Sequence, residues 1–364
     1  MALIRLSKSS IGNEEIRNVN KVLKNEFLGM GSEVFAFEKK LSKYFKRNTI
    51  CVANGFSALH LAIESLNLRN NDEVLVPSLT FVASFQAITA AGAKPIACDV
   101  DLETLNLSVE DLKKKINKKT KVIMPVWFGG NLSGYDEIYK IAKKNKIRVI
   151  EDAAHAFGSK KNNILVGSEG DISCFSFDGI KNITSGEGGC IVCDDKKLSK
   201  LIKEKRVLGI KIHRNQKKWS PKVQVQGWRY NMINIMTGIG LAQFKKKNVI
   251  KKKRLDIAKF YDYLFKENKN FKFFKRDYKE INPHLYPVLN LKKSTNNLVR
   301  YMKNSKIEIG RHYFPNHLLD KFKSQKLKNT EYLSKKLFTL PIHVDLKKRD
   351  QKKIIKLLNN FHEK

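Results

Sequence analysis

A single lysine separates an apolar stretch from a glycine-rich loop in FSFDGIKNITSGEGG, residues 175–189. The preceding CFSF has the composition of a buried strand, so Lys181 is expected just past a strand end. A lysine in a desolvated pocket loses its proton easily and can form a Schiff base with a carbonyl, whereas an exposed lysine stays protonated at pH 7. Lys181 is therefore the candidate Schiff-base lysine.

Two carboxylates, Glu151 and Asp152, stand at the end of the apolar run IRVIED. A carboxylate at that depth needs a positive partner, and a ring nitrogen that must stay protonated would serve. Taken alone, the pattern fits a helix cap or a metal ligand equally well. Asp152 can therefore be assigned a role as partner of a ring nitrogen only together with the other candidate residues.

The stretch ANGFSALHL, residues 53–61, predicts a strand end, a glycine and a helix start. Exposed backbone N–H groups at Gly55 and Phe56, with the Ser57 hydroxyl beside them, suit a phosphate, although a plain helix cap has the same pattern. With Lys181 and Asp152, the chain offers the three contacts that pyridoxal phosphate requires: to its phosphate, its ring nitrogen and its aldehyde.

The candidate residues follow apolar runs that alternate with amphipathic stretches. The runs are TICVAN, EVLVPS, KPIACDV, KVIMPVWF and IRVIEDA. Short β-rich runs with helices between them indicate βαβ units, and therefore an α/β fold with a mainly parallel central sheet flanked by helices. Ligands of such sheets bind beyond the carboxyl ends of the strands, where the candidate residues are expected.

A change of pattern near residue 245 predicts the domain organisation. A long basic helix, FKKKNVIKKKRLDIAKFYDYLF, is followed by shorter mixed elements. We predict a large domain over residues 1–245 and a smaller α+β domain over residues 246–364. The length of 364 residues agrees with this division, because it exceeds the usual size of a single hydrophobic core.

The net charge of +36 raises a rival hypothesis of a non-catalytic basic regulatory or nucleic-acid-binding protein. The lysines are scattered through nearly every helical segment, as in DLKKKINKKTK, and flank apolar positions at helical spacing. This distribution is typical of solvated helix faces. No nucleic-acid-binding motif is present, so no nucleic-acid partner is expected.

The cysteines and the hydropathy exclude further classes. Five cysteines lie inside apolar runs, and their odd number argues against a disulfide framework. Cys190 and Cys193 form a CxxC, but neither a second pair nor a nearby histidine completes a zinc set, so no metal is expected. No apolar run is long enough for a membrane span, and MALIRLSKSS is too short for a secretory signal. A cytoplasmic location is expected.

The order and spacing of these segments resemble the sugar-nucleotide aminotransferases of the DegT/DnrJ/StrS type, a branch of the aspartate aminotransferase fold. The resemblance covers nearly the whole chain, through FLGMGSEVFAFEKKLSKYF, PSLTFVASFQAITAAGAKPIACDVD, EDAAHAFGS, FSFDGIKNITSGEGG, GWRYNMINIMTGIGLAQFKK and LPIHVDL. It implies pyridoxal 5'-phosphate as cofactor, L-glutamate as amino donor and a nucleotide-linked keto-sugar as acceptor. A 4-keto-6-deoxy sugar is preferred over a 3-keto sugar, with the amino sugar destined for surface polysaccharide such as O-antigen.

The resemblance also implies roles for individual residues. Lys181 matches the Schiff-base lysine that later moves the proton, and Asp152 matches the partner of the pyridinium nitrogen. His155 matches a contact to the ring hydroxyl, Ser176 a contact to the phosphate, and Phe81 an aromatic that lies against the ring. Ordinary core positions are the competing interpretation for the histidine and the phenylalanine.

Two positions depart from the family pattern. Gly55 and Phe56 stand where the family has a Gly-Thr pair, so one hydroxyl is missing from the phosphate loop, and Ser57 is the candidate to replace it. Arg229 stands where many members carry an asparagine that reaches the phosphate across the subunit interface. The hypothesis is that Arg229 compensates for Phe56 in a homodimer with composite sites; the alternative is an arginine paired with a surface carboxylate.

The segment GRHYFPNH resembles a stretch near the sugar-nucleotide site. It makes Arg311, His312 and His317 candidates to bind the nucleotide pyrophosphate. Trp127 replaces a frequent histidine, a change without a functional account at the level of sequence. A related branch of the fold that dehydrates sugars carries histidine in place of the lysine, so Lys181 favours transamination.

Overall fold

The computed structural model describes residues 3–211, 222–266, 268–291 and 295–361. Its α-helices are α1 (Asn13–Lys24), α2 (Ser32–Phe45), α3 (Gly55–Glu64), α4 (Ala83–Ala90), α5 (Val109–Lys115), α6 (Tyr135–Asn145), α7 (Lys196–Lys205), α8 (Asn234–Lys245), α9 (Lys247–Phe265), α10 (Thr295–Asn304), α11 (Lys328–Lys336) and α12 (Lys348–Asn359).

The strands form one large sheet and three smaller ones. They are β1 (Thr49–Val52), β2 (Glu73–Pro77), β3 (Lys94–Cys98), β4 (Thr120–Ile123), β5 (Arg148–Asp152), β6 (Lys160–Lys161), β7 (Ile164–Leu165), β8 (Ile172–Ser176), β9 (Gly189–Cys193), β10 (Ile210–Lys211), β11 (Lys222–Val223), β12 (Phe271–Phe273), β13 (Tyr286–Asn290) and β14 (Leu337–Leu340).

The large sheet has seven strands in the order β1-β9-β8-β5-β4-β2-β3. Only β9 runs against its neighbours; the pairs from β8 through β5, β4 and β2 to β3 are all parallel. The other six strands therefore end at the same edge of the sheet. This topology confirms the α/β class with a mainly parallel sheet that the sequence predicts.

Helices cover both faces of the large sheet. In β9, Cys190 and Val192 face a cluster built with α2 and α6, whereas Ile191 and Cys193 face a cluster built with α3, α4 and α7. Every residue of β2, β8 and β9 is buried, as the short uninterrupted apolar runs predict. The sheet is thus a rigid platform whose exposed features are its loops.

A second unit follows α8. The antiparallel sheet β12-β13-β14 packs with α9, α10 and α12 around its own apolar cluster. Helix α9 joins the two units, because Ile250 near its start packs into the large cluster and Tyr261 into the small one. The chain start also reaches the second unit, since Ile4 pairs with Ile307. The boundary at residues 245/246 stays a prediction, and it coincides with the junction of α8 and α9.

Two expected absences can be compared with the described residues alone. In the ranges given above, no helix combines the length and the apolar character that a membrane crossing requires. The same ranges hold no group of three or more histidine, cysteine, aspartate or glutamate side chains placed to bind a metal ion.

Candidate active site

A cavity of about 450 Å³ opens where the parallel strands end. The loops after β1, β2, β5 and β8 supply most of its lining, and the segment around residue 312 closes it from the second unit. The structure brings together eight of the twelve residues that the sequence predicts: Gly55, Phe56, Phe81, Asp152, His155, Ser176, Lys181 and His312.

Asp152 is the last residue of β5 and is buried. Its carboxylate accepts hydrogen bonds from Ser84 Oγ at 2.8 Å and from the Ala154 backbone N–H at 3.2 Å. Burial raises the pKa of Asp152, while the Ser84 hydrogen bond and the nearby positive charge of Lys181 oppose that rise. The carboxylate is therefore fixed in direction and favours a cation in front of it.

Lys181 lies in the loop after β8 and is partly buried. Its backbone N–H donates to the Asp178 carbonyl at 3.0 Å, which turns the chain back toward the cavity. Burial lowers the pKa of the Lys181 ammonium group, against the opposing charges of Asp152 and Asp178. The amine therefore loses its proton more easily than a solvated lysine, as a nucleophile or a proton carrier requires.

The glycines after Lys181 let this loop pack closely against its neighbours. A Cβ on Gly189 would lie 2.6 Å from the Asn54 carbonyl oxygen, and one on Gly188 would lie 2.2 Å from Ser185 Oγ. Gly186 adopts a φ of 80°, which disfavours other residues. The contact with the loop after β1 thus explains Gly189, the closeness of Ser185 within the same loop explains Gly188, and the backbone conformation explains Gly186.

The start of α3 forms an anion cradle against β8. A Cβ on Gly55 would lie 2.8 Å from Ser176 Cβ, so only glycine lets the backbone of residues 55 and 56 approach the Ser176 hydroxyl. The free N–H groups of a ten-residue helix point here, and its dipole favours negative charge. This geometry suits a phosphate group.

Ser57 occupies a different place from the one predicted. Its hydroxyl and its backbone N–H both donate to Asn54 Oδ1, each at 2.9 Å, and its side chain is buried. Asn54 thus caps α3 with the help of Ser57. The structure does not bring the Ser57 hydroxyl into the cavity, so the backbone N–H groups and Ser176 form the cradle.

An aromatic and imidazole group forms the opposite wall. The backbone N–H of Gly129 donates to His155 Nδ1 at 3.4 Å, and His155 Nε2 is 3.1 Å from the Tyr313 hydroxyl. Burial lowers the pKa of His155 well below its usual range and lowers that of His312 to about 4. Both rings are therefore neutral at pH 7. Phe81 is 59% exposed at the cavity mouth, with its ring 5.9 Å from that of Tyr313.

Trp127 has a structural role beside the cavity. Its Nε1 donates to Glu151 Oε2 at 3.2 Å, and Ser173 Oγ and the Tyr139 hydroxyl donate to the same carboxylate. Burial raises the pKa of Glu151 to about 7. Because successive strand residues point to opposite faces, Trp127 and Glu151 lie behind Asp152 and support β5 from the far side of the sheet.

Three other predicted residues lie outside the cavity lining. Arg311 donates to Asn296 Oδ1 and to the Ser334 carbonyl oxygen on the surface. His317 is fully buried, with Nδ1 2.7 Å from Ser78 Oγ and Nε2 3.3 Å from Glu331. Arg229 is exposed and pairs through its backbone with Val207. Within this chain, these side chains do not meet the residues around Lys181.

Sequence reasoning missed two side chains that complete the site. Ser84 orients Asp152, and Tyr313 contacts His155. The first had a weak signal, a hydroxyl in the first turn of the helix that follows β2. The second comes from the distant second unit, and nothing local marks it.

The arrangement matches the requirements of pyridoxal phosphate. The cradle that a Cβ at Gly55 would fill suits the phosphate, and the buried Asp152 suits a protonated ring nitrogen. Lys181, with its lowered pKa, lies along the same cavity and suits the aldehyde. Each donor type thus agrees with the group that it would face.

Comparison with known proteins places these features in a family. A model of the DegT/DnrJ/EryC1/StrS aminotransferase family matches residues 9–359. A GDP-perosamine synthase of Escherichia coli O157:H7 is 39% identical over 72% of this chain and 71% of its own length. A UDP-4-amino-4,6-dideoxy-N-acetyl-beta-L-altrosamine transaminase of Campylobacter jejuni is 33% identical over 100% of this chain and 98% of its own length.

The fold likeness to solved structures is equally extensive. A protein of Streptococcus pneumoniae described as a sugar aminotransferase superimposes with a TM-score of 0.93, at 26% identity over 98% of both chains. Its structure has been solved with pyridoxal phosphate (PLP), with pyridoxamine phosphate (PMP) and in the apo form.

Proposed function

The chain belongs to the DegT/DnrJ/EryC1/StrS aminotransferase family, and we propose that it transfers an amino group from L-glutamate to the 4-keto group of a nucleotide-linked 6-deoxy sugar. Pyridoxal 5'-phosphate is its cofactor. The membership confirms the family resemblance, the aminotransferase activity, the aspartate-aminotransferase-like fold and the cofactor that the sequence predicts. It also sets aside the rival hypothesis of a non-catalytic basic protein.

One observation carries the proposal. Lys181, whose pKa is lowered by burial, shares a cavity with the buried carboxylate of Asp152 and with an anion cradle at the start of α3. Pyridoxal phosphate, when bound, supplies an electron sink that makes the C–H bond beside the transferred nitrogen acidic. The reaction then needs a base that can take a proton and return it one carbon away.

The residues of the chain divide the remaining work. Lys181 Nζ takes and returns the proton, because its lowered pKa leaves a larger neutral fraction near pH 7. Asp152 stabilises positive charge on the ring nitrogen, and Ser84 holds its carboxylate in place. Gly55 and Ser176 position the phosphate. His155, kept neutral by burial, would face the cofactor ring without adding charge.

The identity of the acceptor rests on similarity. The Campylobacter jejuni relative is named for a 4-amino-4,6-dideoxy sugar carried by UDP, which supports amination at C4 over C3. A Bacillus subtilis relative, 32% identical over 71% of this chain, is a spore coat polysaccharide biosynthesis protein. The amino sugar is thus proposed to enter a surface polysaccharide. The net charge of +36 would help to attract a dianionic sugar nucleotide.

A panel experiment tests this function. The holoenzyme is incubated with L-glutamate and dTDP-, UDP- or GDP-linked 4-keto or 3-keto sugars, and the products are identified by mass spectrometry. An amino sugar from a 4-keto substrate is expected, with one nucleotide preferred. An amino sugar formed only from 3-keto substrates would show that the amino group is transferred to C3 and not to C4. A colourless protein that converts none of the sugars and retains DNA at moderate salt would restore the rival hypothesis.

Arg229 is proposed to bind the cofactor phosphate of a neighbouring subunit. Its exposed side chain belongs to a firmly anchored segment: Trp228 N–H donates to the Lys205 carbonyl at 2.6 Å, and Tyr230 N–H to the Arg206 carbonyl at 3.1 Å. The rings of Trp228 and Tyr230 stack at 5.9 Å. The backbone that carries Arg229 is therefore fixed in place, and its guanidinium could supply the phosphate contact that the missing hydroxyl at position 56 would have made.

Mixing two inactive variants tests the composite site. In a twofold dimer, Lys181→Ala and Arg229→Ala subunits form hybrids in which one site carries both defects and the other carries neither. Random pairing makes about half of the dimers mixed, so roughly a quarter of all sites should recover activity on co-expression. If Arg229 serves its own subunit, every hybrid site keeps one defect and no activity returns. A fully active Arg229→Ala variant would discard the phosphate role before any mixing.

A further inference from the structure

A small second cavity lies between the two units, next to the loop that carries Lys181. It measures about 30 Å³, roughly the space of two water molecules. Its polar lining consists of Ser7, Lys8, Arg254, His284, His312 and His343. Ile180 and His312 line this cavity and the main cavity alike, so the two adjoin at the lysine loop. We refer to it below as the basic cavity.

Arg254 is a buried cation without a counter-ion among the described residues. It is 5% exposed, and its terminal nitrogens donate only to backbone carbonyls: Nη1 to His284 at 3.3 Å, Nη2 to Ile180 at 3.3 Å and to Lys181 at 3.4 Å. Burial lowers the pKa of its guanidinium to about 10, so it still carries its charge at pH 7. A buried positive charge of this kind is costly unless an anion pairs with it.

Three ring or guanidinium nitrogens around this cavity also lack partners. Arg254 Nε, His284 Nδ1 and His343 Nδ1 are buried and have no hydrogen-bond partner among the described residues. Buried polar atoms in native proteins are normally satisfied. Arg254 Nε–H can only donate, and each histidine Nδ1 donates in the tautomer that carries its proton there, so a ligand with acceptor atoms would satisfy all three nitrogens.

No aspartate or glutamate among the described residues lines the basic cavity. The neighbouring acid is Asp345, which raises the pKa of His343 but already pairs with Lys8 at 2.7 Å. The charges of Lys181 and Arg254, in contrast, lower the pKa of His284 beyond the effect of burial. The local field is therefore positive, and a small anion is the ligand that would balance it.

We propose that the basic cavity binds a carboxylate group of the amino-acid donor, held by Arg254 and by the unpaired nitrogens of His284 and His343. The inference rests on the proposed function, because only an aminotransferase has such a donor. The guanidinium already touches the Lys181 carbonyl oxygen, so a carboxylate here is anchored next to the lysine that moves the proton. A solvent anion such as chloride offers the same charge and is the alternative occupant.

Binding of glutarate to the holoenzyme tests the site without turnover. Glutarate carries the two carboxylates of glutamate but no amino group, and its dissociation constant can be measured by titration calorimetry at low salt. Arg254→Lys keeps the charge but loses the planar fork, and we expect it to weaken glutarate binding on the order of tenfold. The matched control is Arg276→Lys, a buried arginine paired with Asp262 outside both cavities, which should bind glutarate normally.

His343→Leu provides a second, independent variant. It removes a buried nitrogen that has no partner, but also the hydrogen bond of the ring to the Arg5 backbone, so the melting temperature of the ligand-free protein should fall only slightly. The rise in melting temperature that glutarate produces in the natural protein should be reduced. This variant keeps the proposal testable if Arg254→Lys fails to fold.

Formate and chloride distinguish the two sources of the anion. If formate and chloride both compete with glutarate in the natural protein, and if this competition disappears in the two variants, the result would support the donor carboxylate. Binding of formate and chloride that glutarate does not displace would overturn the donor assignment in favour of a solvent anion. Unchanged glutarate binding in both variants would overturn the site itself. Each variant is first tested for cofactor on Lys181; absence of cofactor in the natural protein would refute the proposed function instead.

Discussion

Replacing Lys181 with alanine should lower the rate of transamination on the order of 10⁴-fold or more, because the alanine can neither hold the cofactor covalently nor move the proton. Cofactor should still bind, since Gly55, Ser176 and Asp152 are unchanged. The measurement is a single turnover with L-glutamate, followed through the loss of the visible absorption band of the holoenzyme.

A matched control for this variant is Lys251→Ala. Lys251 is also half-buried, burial also lowers its pKa, and its Nζ donates to the Gly158 carbonyl at 2.8 Å. It does not line the main cavity. The control should turn over at a rate close to that of the natural protein. Near-normal turnover by Lys181→Ala would show that some other group moves the proton.

Asp152→Asn is expected to slow turnover on the order of 10²- to 10³-fold with little loss of fold or cofactor. A neutral amide cannot stabilise a positive charge on the ring nitrogen, so the electron sink weakens. The amide has nearly the size of the carboxylate, and its oxygen can still accept from Ser84 and Ala154. The readouts are kcat for the first half-reaction, the cofactor content and the melting temperature.

The neighbouring carboxylate provides the comparison for this substitution. Glu151 is equally buried in the same strand, but its partners are Trp127, Tyr139 and Ser173 on the other face of the sheet. Glu151→Gln should therefore change kcat far less than Asp152→Asn. Equal losses in the two variants would mean that the effect comes from disruption of β5 and not from charge at the ring nitrogen.

Local sequence signals were sufficient where the site depends on strand ends. Asp152 ends the buried strand β5, and Lys181 lies in the loop after the parallel strand β8, so their meeting at one edge of the sheet could be predicted. The cluster of glycines within residues 186–189 is itself a local signal, and the structure explains it by positions where a Cβ would clash or where φ is positive. The composition and the order of the apolar runs were therefore enough to predict this part of the fold.

Side-chain competition explains most of what the sequence could not predict. Ser57 was a reasonable phosphate ligand by residue type. In the structure, however, its hydroxyl and its backbone N–H both donate to Asn54 in the cap of α3. His317 lies in the segment that enters the cavity, but a hydrogen bond to Ser78 turns it into the core. Such choices depend on partners that are distant in the sequence, as does the contact of Tyr313 with His155.

The trapped cofactor provides the most direct test of the role assigned to Lys181. Borohydride treatment of the yellow holoenzyme reduces the linkage between cofactor and lysine, and proteolysis with mass spectrometry then locates the pyridoxyl group. Because lysines are spread through nearly every helical segment of the chain, a label on one of them distinguishes that position sharply from the rest. We predict a single major labelled peptide that contains Lys181. A pyridoxyl group on any other lysine, or no label in a protein that still transfers amino groups, would contradict the role assigned to Lys181.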